Sequence, residues 1–551
     1  MRDSKSFTSE IIQSSLQAIA SEMFHAMRVT AMSPIIYEVL DLGTGILNAK
    51  GEMASSGAGI PVLVGVVDKG VRRIVEMYGK DGRIKPGDVF ITNDPAYGGV
   101  THLNDIILAM PVFAGDTIVA WTANSAHWND VGGMVPGSMS ITATEIYQEG
   151  LRLPAVKLIE EGKVLQSVVD IIKANSRMPE FSEGDMWAGV AAVRGGERRL
   201  SQLVEKYGRE AFENALEESM DLAERVSLRA LKELPQGHFE FSEVQDDGKT
   251  FKVAIEIAPD SMTIDLRDNP DSVQAPGNIC RDATEIAAQM VFKSITDSFS
   301  PANGGSFRPL KILTRPGSIF DAISPAAVGF YFETFVRVHD LILQCLSKQI
   351  PELVCAGTYS SNCVTFIGGA HHESGHSFTL VEPELGGWGA TNERDGNSAV
   401  FSPIHGDTFN CPIEVAEIRY GVVVDQLSLN GEEGGEGQYR GGKGVILDYR
   451  IQSNDTSMTC GYTRSKVPPW GLNGGRDGTP NYVQIIRKDG TTERHAFSSN
   501  VTVNKGDVVR AVTGNGAGYG DPRKRDPEAI RRDIRDGFLS PARAEEVYGY
   551  Q

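Results

Sequence analysis

The segment GGVTHLNDIILAMPVF (98–113) constrains the fold most strongly. Its second half, IILAMPVF, is an unbroken apolar run of strand length, and such a run belongs in a protein interior. Just ahead of it stand two titratable side chains, His102 and Asp105. Polar groups at the entrance to a buried strand cost free energy unless a partner satisfies them. A second apolar run, TIVAWTANSAH (117–127), follows an AGD turn and ends on another histidine, His127. The chain must bury these strands and satisfy the groups at their ends.

The surrounding pattern is mixed. Ile12, Leu16, Ile19, Met23 and Met27 recur at helical spacing and predict an amphipathic helix over residues 9–30. YEVLDLGTGILNAKGEM reads as a hairpin about an NAKG turn, with Asp41 inside its first strand. A helix from Val66 to Tyr78, a KPGD turn and the strand VFIT come next. A charged helical stretch runs from Glu197 to Leu234 with a break near Gly208, and short strands over 238–267 form a meander. Helices at 280–298 and 332–349 bracket a connector rich in Pro and Gly. From about residue 413 strands and turns dominate, up to short helices in DPEAIRRDIRDG and SPARAEEVYG. The expected fold class is mixed α+β in a multi-part single chain, with a helix- and hairpin-containing N-terminal metal region, a helical middle and a strand-rich C-terminal part. The corresponding segments are 1–236 for the metal-binding region, 237–412 for the α+β middle, 413–522 for the strand-rich region and 523–551 for a helical tail.

Composition excludes several function classes. At 551 residues the chain has ample material for large cores, and its net charge of -19 disfavours a nucleic-acid partner, which demands a cationic face. The basic run RKRDPEAIRRDIRDG is interleaved with acids and reads as a solvated helix surface. MRDSKSFTSE has no apolar core of a signal peptide, and no stretch approaches a membrane span, so the expectation is a cytoplasmic protein without a membrane partner. Six cysteines without a CxxC pair read as free thiols, and 60 glycines imply many tight turns and close backbone approaches.

Three motifs imitate known sites without their context. HHESGH (371–376) contains HExxH, yet its glycine and strand-like flanks predict a hairpin tip, whereas a zinc peptidase needs that pattern on a helix. GQYRGGKG (437–444) lacks the Ser or Thr of a phosphate loop and leads into the strand VILDYRI. GNGAGYGD (514–521) opens onto DPRKRDPEA, without the immediate helix that a pyrophosphate site requires.

Four side chains remain: Asp41, His102, Asp105 and His127. Two imidazoles and two carboxylates suit a borderline divalent ion such as zinc, manganese or iron, whose charge would make their burial tolerable. The spacing equally allows a local His102–Asp105 hydrogen bond with His127 as a satisfied core residue. Asp130 and Glu145, just downstream in glycine-containing contexts, are candidates for catalytic proton relay or for turn capping.

At these same residues the chain resembles the hydantoinase B / 5-oxoprolinase family. The resemblance rests on GDVFITNDPAYGGVTHLNDI, AHWNDVGGMVPGS, ATEIYQEGLRLPAVKL, QYRGGKGV, PWGLNGGRDGTP and GAGYGDPRKRDPEAIRRDIRDGFLSPARAEEVYG, and extends from about residue 9 to the C-terminus. It implies one metal ion held by Asp41, His102, Asp105 and His127. It also implies a partner, the A-type subunit, that binds ATP and magnesium and phosphorylates the carbonyl oxygen of a small cyclic amide, a hydantoin, oxoproline or lactam, within a hetero-oligomer. The B-type subunit then performs the hydrolytic step. Components of ketone carboxylases fall in the same group, so carboxylation is an alternative, as is a scaffold role with a structural metal. The chain departs from the family pattern in three places: LDL replaces a strand ending in an aromatic, GGVTHLND replaces GGTHLPD, and Trp128 takes the place of a second histidine.

Overall fold

The two apolar runs become adjacent central strands of a seven-stranded antiparallel sheet. In the computed structural model, which describes residues 2–406 and 408–550, its strands are β1 (Leu42–Asn48), β2 (Met53–Gly59), β3 (Val89–Thr92), β4 (Asp105–Ala114), β5 (Thr117–His127), β6 (Val156–Glu160) and β7 (Lys163–Val164). They lie in the order β2-β1-β5-β4-β3-β6-β7. The helices along this part of the chain are α1 (Arg2–Thr30), α2 (Pro34–Tyr37), α3 (Pro61–Tyr78), α4 (Gln166–Asn175), α5 (Pro179–Tyr207) and α6 (Arg209–Glu233).

Helices cover both faces of the sheet, which explains why β4 is apolar throughout instead of alternating. On one face α1, α5 and α6 bring Leu16, Met23, Met186, Val193 and Phe212 into one cluster with Ile46, Leu108, Met110 and Val119. On the other, α3 brings Val67, Val71 and Ile74 into a cluster with Leu47, Phe90, Ala109 and Trp121. Each fully buried side chain of this kind stabilises the fold by about 1.5–3 kcal/mol. Two polar residues of β5 bond to α5: the Thr122 hydroxyl donates to the Val193 carbonyl at 2.9 Å, and the Asn124 amide donates to the Gly189 carbonyl at 2.8 Å. Gly189 permits that approach, because a Cβ there would stand 2.5 Å from Leu108 Cδ1.

The chain packs as two units that are discontinuous in sequence, rather than as four consecutive segments. The first comprises residues 1–238, 255–335 and 404–409, and the second 239–254, 336–403 and 410–551. The first unit also contains α7 (Arg281–Thr296) and a parallel pairing of Ser261–Asp265 with Leu310–Leu313. The strand meander is present as Gly237–Val244, Thr250–Ala258 and Ser261–Asp265.

The second unit holds two antiparallel sheets. One runs Ser377–Glu382, Val364–Ala370, Thr456–Gly461 and Phe497–Val503; the other Val422–Leu429, Val445–Ile451, Val508–Val512, Tyr482–Ile486 and Thr492–His495. Ile367, Leu380 and Met458 of the first and Leu447, Val483 and Val509 of the second share one core. Glycine-rich loops pack backbone to backbone here: a Cβ on Gly389, Gly441 or Gly442 would lie 1.8 Å from a carbonyl oxygen. The glycines of GQYRGGKG and GNGAGYGD thus have a packing role. HHESGH forms the tip joining Val364–Ala370 to Ser377–Glu382, so its histidines are not on a helix. A buried ionic cluster centres on Asp340, whose Oδ2 accepts from Arg337 at 2.8 Å and from Arg464, while Oδ1 accepts from Trp470 at 2.9 Å.

Three boundaries differ from expectation. α5 starts at Pro179, well before Glu197, because the proline sits at its first turn, where its missing N–H costs nothing. Ile413–Arg419 is helical, where strands and turns are expected from about residue 413. Asp41 lies immediately before β1 rather than within it.

Candidate metal centre

Strand register assembles most of the site. Asp105 opens β4 and pairs directly with His127, which closes β5. Leu42 opens β1 opposite Ala126, and the His127 N–H donates to the Asp41 carbonyl at 3.1 Å. Antiparallel neighbours run in opposite directions, so the starts of β1 and β4 and the end of β5 share one end of the sheet. Asp41, Asp105 and His127 meet there.

His102 arrives from the loop before β4. Gly98 and Gly99 adopt φ of 93° and 99°, the left-handed half of backbone space that favours glycine. A Cβ on Gly99 would lie 2.3 Å from Gly70 Cα in α3, so the loop rests directly on helix backbone. The Asp105 N–H then donates to the His102 carbonyl at 3.2 Å, a turn that returns the imidazole over the carboxylate.

His102 Nε2 stands 3.2 Å from Asp105 Oδ1, and His127 Nδ1 stands 3.4 Å from the same oxygen. Donor atoms of these three residues all lie within 4.8 Å of one another. Asp41 is adjacent but looser, with Oδ2 at 4.0 Å from His127 Nδ1. His102, Asp105 and His127 are buried, whereas Asp41 is half-buried.

Their electrostatics are those of a site built around positive charge. Burial alone would raise the Asp105 carboxyl, but the His102 and His127 imidazoles outweigh it and hold the group below the usual carboxylate range. Asp41 goes the other way: burial pushes it up to about 7, helped by the Asp105 charge and opposed by His127. A dication would cancel both the burial penalty and that repulsion, so the ionised Asp41 is the form it would hold.

Surrounding groups fix the donors. His102 Nδ1 lies 3.2 Å from the Gly329 carbonyl, an oxygen that only accepts. With Nε2 given to a metal ion, the neutral ring would carry its proton on Nδ1, where the Gly329 carbonyl accepts it. Asp105 Oδ2 accepts from the Thr101 hydroxyl, which is also bonded to the hydroxyl of Tyr331. Tyr331, at the start of α8 (Tyr331–Ser347), packs its ring 5.1 Å from that of His102. Burial, followed by the Asp105 charge, drives its hydroxyl pKa well above the ordinary value. His405 joins the same electrostatic neighbourhood: burial and then the His127 charge push its pKa down to about 4. None of Thr101, Tyr331 or His405 stands out in the sequence, since Tyr331 and His405 lie hundreds of residues away without a local pattern. Glu149 is equally hidden there; it is buried, accepts from the N–H groups of Val328 at 3.0 Å and Gly329 at 2.6 Å, and burial pushes its carboxyl up to about 7.

Asp130 and Glu145, the two proton-relay candidates, sit elsewhere. The Asp130 carboxylate accepts from the N–H groups of Gly132 and Arg177 on Oδ1, and from the Gly137 N–H and the Arg177 guanidinium on Oδ2. Those bonds occupy it with loop structure. Glu145 is exposed at the start of a short 3-10 turn, and its N–H is held by the Gln148 side chain at 3.2 Å.

Comparison with known proteins is decisive for ancestry: the profile of Hydantoinase B/oxoprolinase matches residues 5–522. The chain belongs to that family. The B component of a putative D-/L-hydantoinase from Pseudomonas sp. (strain NS671) is 30% identical, covering 98% of this chain and 94% of its own length. The beta chain of the caprolactamase of Pseudomonas jessenii is 26% identical over 98% and 95% of the two chains. A chain in the crystal structure of the ATP-dependent caprolactamase from that species superposes with a TM-score of 0.91 at 26% identity, covering 98% and 96%. The nucleotide-free acetone carboxylase structure matches with a TM-score of 0.90, covering 100% of this chain and 80% of that one, but at 18% identity it shares the fold alone. Among the described residues, no helix is long and apolar enough to cross a membrane.

The donor set fits a divalent cation: two imidazoles, that of His102 held by a backbone carbonyl, one fully buried carboxylate and a second beside it, gathered at a distance that suits a shared ion. A bare His–Asp–His cluster buried to this degree is otherwise a costly arrangement.

Proposed function

We propose that this chain is the B-type, hydrolytic subunit of an ATP-dependent cyclic amidase acting on a hydantoin, oxoproline or lactam ring. The single observation that carries the reading is the convergence of His102, Asp105 and His127 at the open end of β4 and β5. Relatives named as the B component of a hydantoinase and the beta chain of a caprolactamase support it, and their names support an A-type partner in a hetero-oligomer. An unactivated amide is a poor electrophile, so phosphorylation of its oxygen by ATP in that partner makes the carbon attackable. One water then adds to the carbon, the ring C–N bond breaks with the nitrogen taking a proton, and a second water hydrolyses the resulting acyl phosphate to carboxylate and phosphate. Lys443, the lysine of GQYRGGKG, donates to the Glu432 carbonyl at 3.0 Å, and a strand follows it, an arrangement that supports placing ATP on the partner.

In this reading His102, Asp105 and His127 would hold one zinc, manganese or iron ion, with Asp41 as the fourth donor. Such an ion supplies Lewis acidity toward a carbonyl or phosphoryl oxygen and activates water at neutral pH. Thr101 keeps the Asp105 carboxylate oriented by donating to its outer oxygen, and Tyr331 in turn bonds the Thr101 hydroxyl. Tyr331, buried against the His102 ring, excludes bulk water from that imidazole. No proton transfer is assigned to Asp130 or Glu145.

The test is to co-express the chain with its A-type partner, supply ATP, and compare hydantoin, 5-oxoproline and a larger lactam with a ketone plus bicarbonate. Phosphate release matched to ring opening, and lost in His102→Ala, supports the proposal. Bicarbonate-dependent ketone consumption would replace it with a carboxylase, and undiminished turnover in His102→Ala would leave the site a structural role.

A further inference from the structure

Resting on that reading of the site, we infer that Glu149 is a positioning residue for His102, acting through the backbone of Val328 and Gly329. Its two carboxylate oxygens take the two successive N–H groups, Oε2 from Val328 at 3.0 Å and Oε1 from Gly329 at 2.6 Å. The carbonyl of Gly329 in turn meets His102 Nδ1 at 3.2 Å. The chain of contacts thus runs carboxylate, main chain, imidazole, and its last link gives the Nδ1 proton an acceptor when Nε2 is given to the metal. Histidines that bind metals depend on such outer partners for tautomer and orientation.

Glu149 is itself held firmly. It is buried, its N–H donates to the Ile146 carbonyl at 3.0 Å, and the neighbouring Gln148 carbonyl accepts from Met134 at 2.8 Å. Gly329 is shaped to receive it: a Cβ there would lie 2.8 Å from Glu149 Oε1 and 3.3 Å from Cδ. An alanine at 329 would therefore drive the carboxylate away while keeping every charge in the chain. A buried carboxylate bonded only to main-chain N–H groups has a simple purpose here: it fixes the position of the one carbonyl that faces the His102 ring. A loop merely needing to be held could use neutral groups, at lower desolvation cost.

The experiment uses the full-length chain stripped of metal and reloaded with zinc. Glu149→Gln keeps the volume but opposes one N–H with an amide NH2; Gly329→Ala displaces the carboxylate without removing it. Zinc affinity is read by competition with a chelator, and the His102 tautomer by NMR of 15N-histidine-labelled protein, assigned with His102→Gln. Both variants are expected to bind zinc about 10–100-fold more weakly than wild type, with the Nδ1–H form of His102 no longer exclusive. Zinc-loaded wild type is expected to show that form alone, with the Nδ1 proton protected by the Gly329 carbonyl, a result that does not depend on either variant folding. Unchanged affinity and tautomer in either folded variant, with only a lower melting temperature, overturns the inference and leaves the metal site standing. Failure of wild type to bind zinc overturns both.

Discussion

Gly99→Ala is the sharpest test of how the fold places His102. The new methyl would stand 2.3 Å from Gly70 Cα, and the backbones must separate by about 1 Å to restore an ordinary contact. α3 cannot retreat, because its Val67, Val71 and Ile74 are clustered with Phe90 and Trp121 of the sheet. The loop must yield, and His102 lies three residues along it. A φ of 99° adds backbone strain of roughly 1–3 kcal/mol for a residue with a side chain. Overpacking adds roughly 1–3 kcal/mol more, for a total of about 2–6 kcal/mol. Gly82→Ala is the control, since Gly82 also has positive φ, 59°, but nothing within 4 Å of its would-be Cβ. Both variants are melted without metal and titrated with zinc against a chelator. Gly82→Ala is expected to lose about 1 kcal/mol with zinc affinity intact, and Gly99→Ala to lose more stability together with at least about 10-fold in affinity. Equal melting temperatures with equal zinc affinities would refute the reasoning.

Other outcomes follow from the same structure. Asp340→Asn leaves the buried Arg337 and Arg464 guanidiniums with Glu243 as their shared carboxylate, each at 2.8 Å, and should cost about 1–3 kcal/mol in denaturant unfolding. Those arginines hold the Asp340 carboxyl below its ordinary range despite burial, so its contribution is present above the unfolded-state pKa and is lost as pH falls through the native one. A stability titration below about pH 4 should show a component in wild type that the variant lacks. His372→Ala with His376→Ala, at the hairpin tip, should leave bound metal unchanged by elemental analysis; its loss would restore HExxH as a site. Asp130→Asn should lower the melting temperature while zinc affinity persists, and Glu145→Gln should alter neither.

What the sequence discloses here is local chemistry and pattern. β4 and β5 are legible because their apolar runs are long and bounded, and His102, Asp105 and His127 stand at the ends of those runs. The mixed α+β class follows from helical and strand periods occurring in one chain. The discontinuous packing is illegible, since residues 404–409 join the first unit through contacts that carry no periodic signal. His405, Tyr331 and Glu149 are invisible for the same reason: each reaches the site across long loops, and a lone histidine, tyrosine or glutamate has no spacing to advertise. The glycine excess is visible as a number, but its use in backbone packing emerges only where a Cβ would collide with a carbonyl.

The central claim is that one divalent ion occupies the space between His102, Asp105 and His127. Elemental analysis of the full-length chain, purified without chelators beside Asp105→Ala, measures it directly. About one equivalent of zinc, manganese or iron per wild-type chain and almost none in a folded Asp105→Ala is the expected result. Equal metal in both proteins, or a wild type that neither carries nor takes up such an ion, would contradict the account.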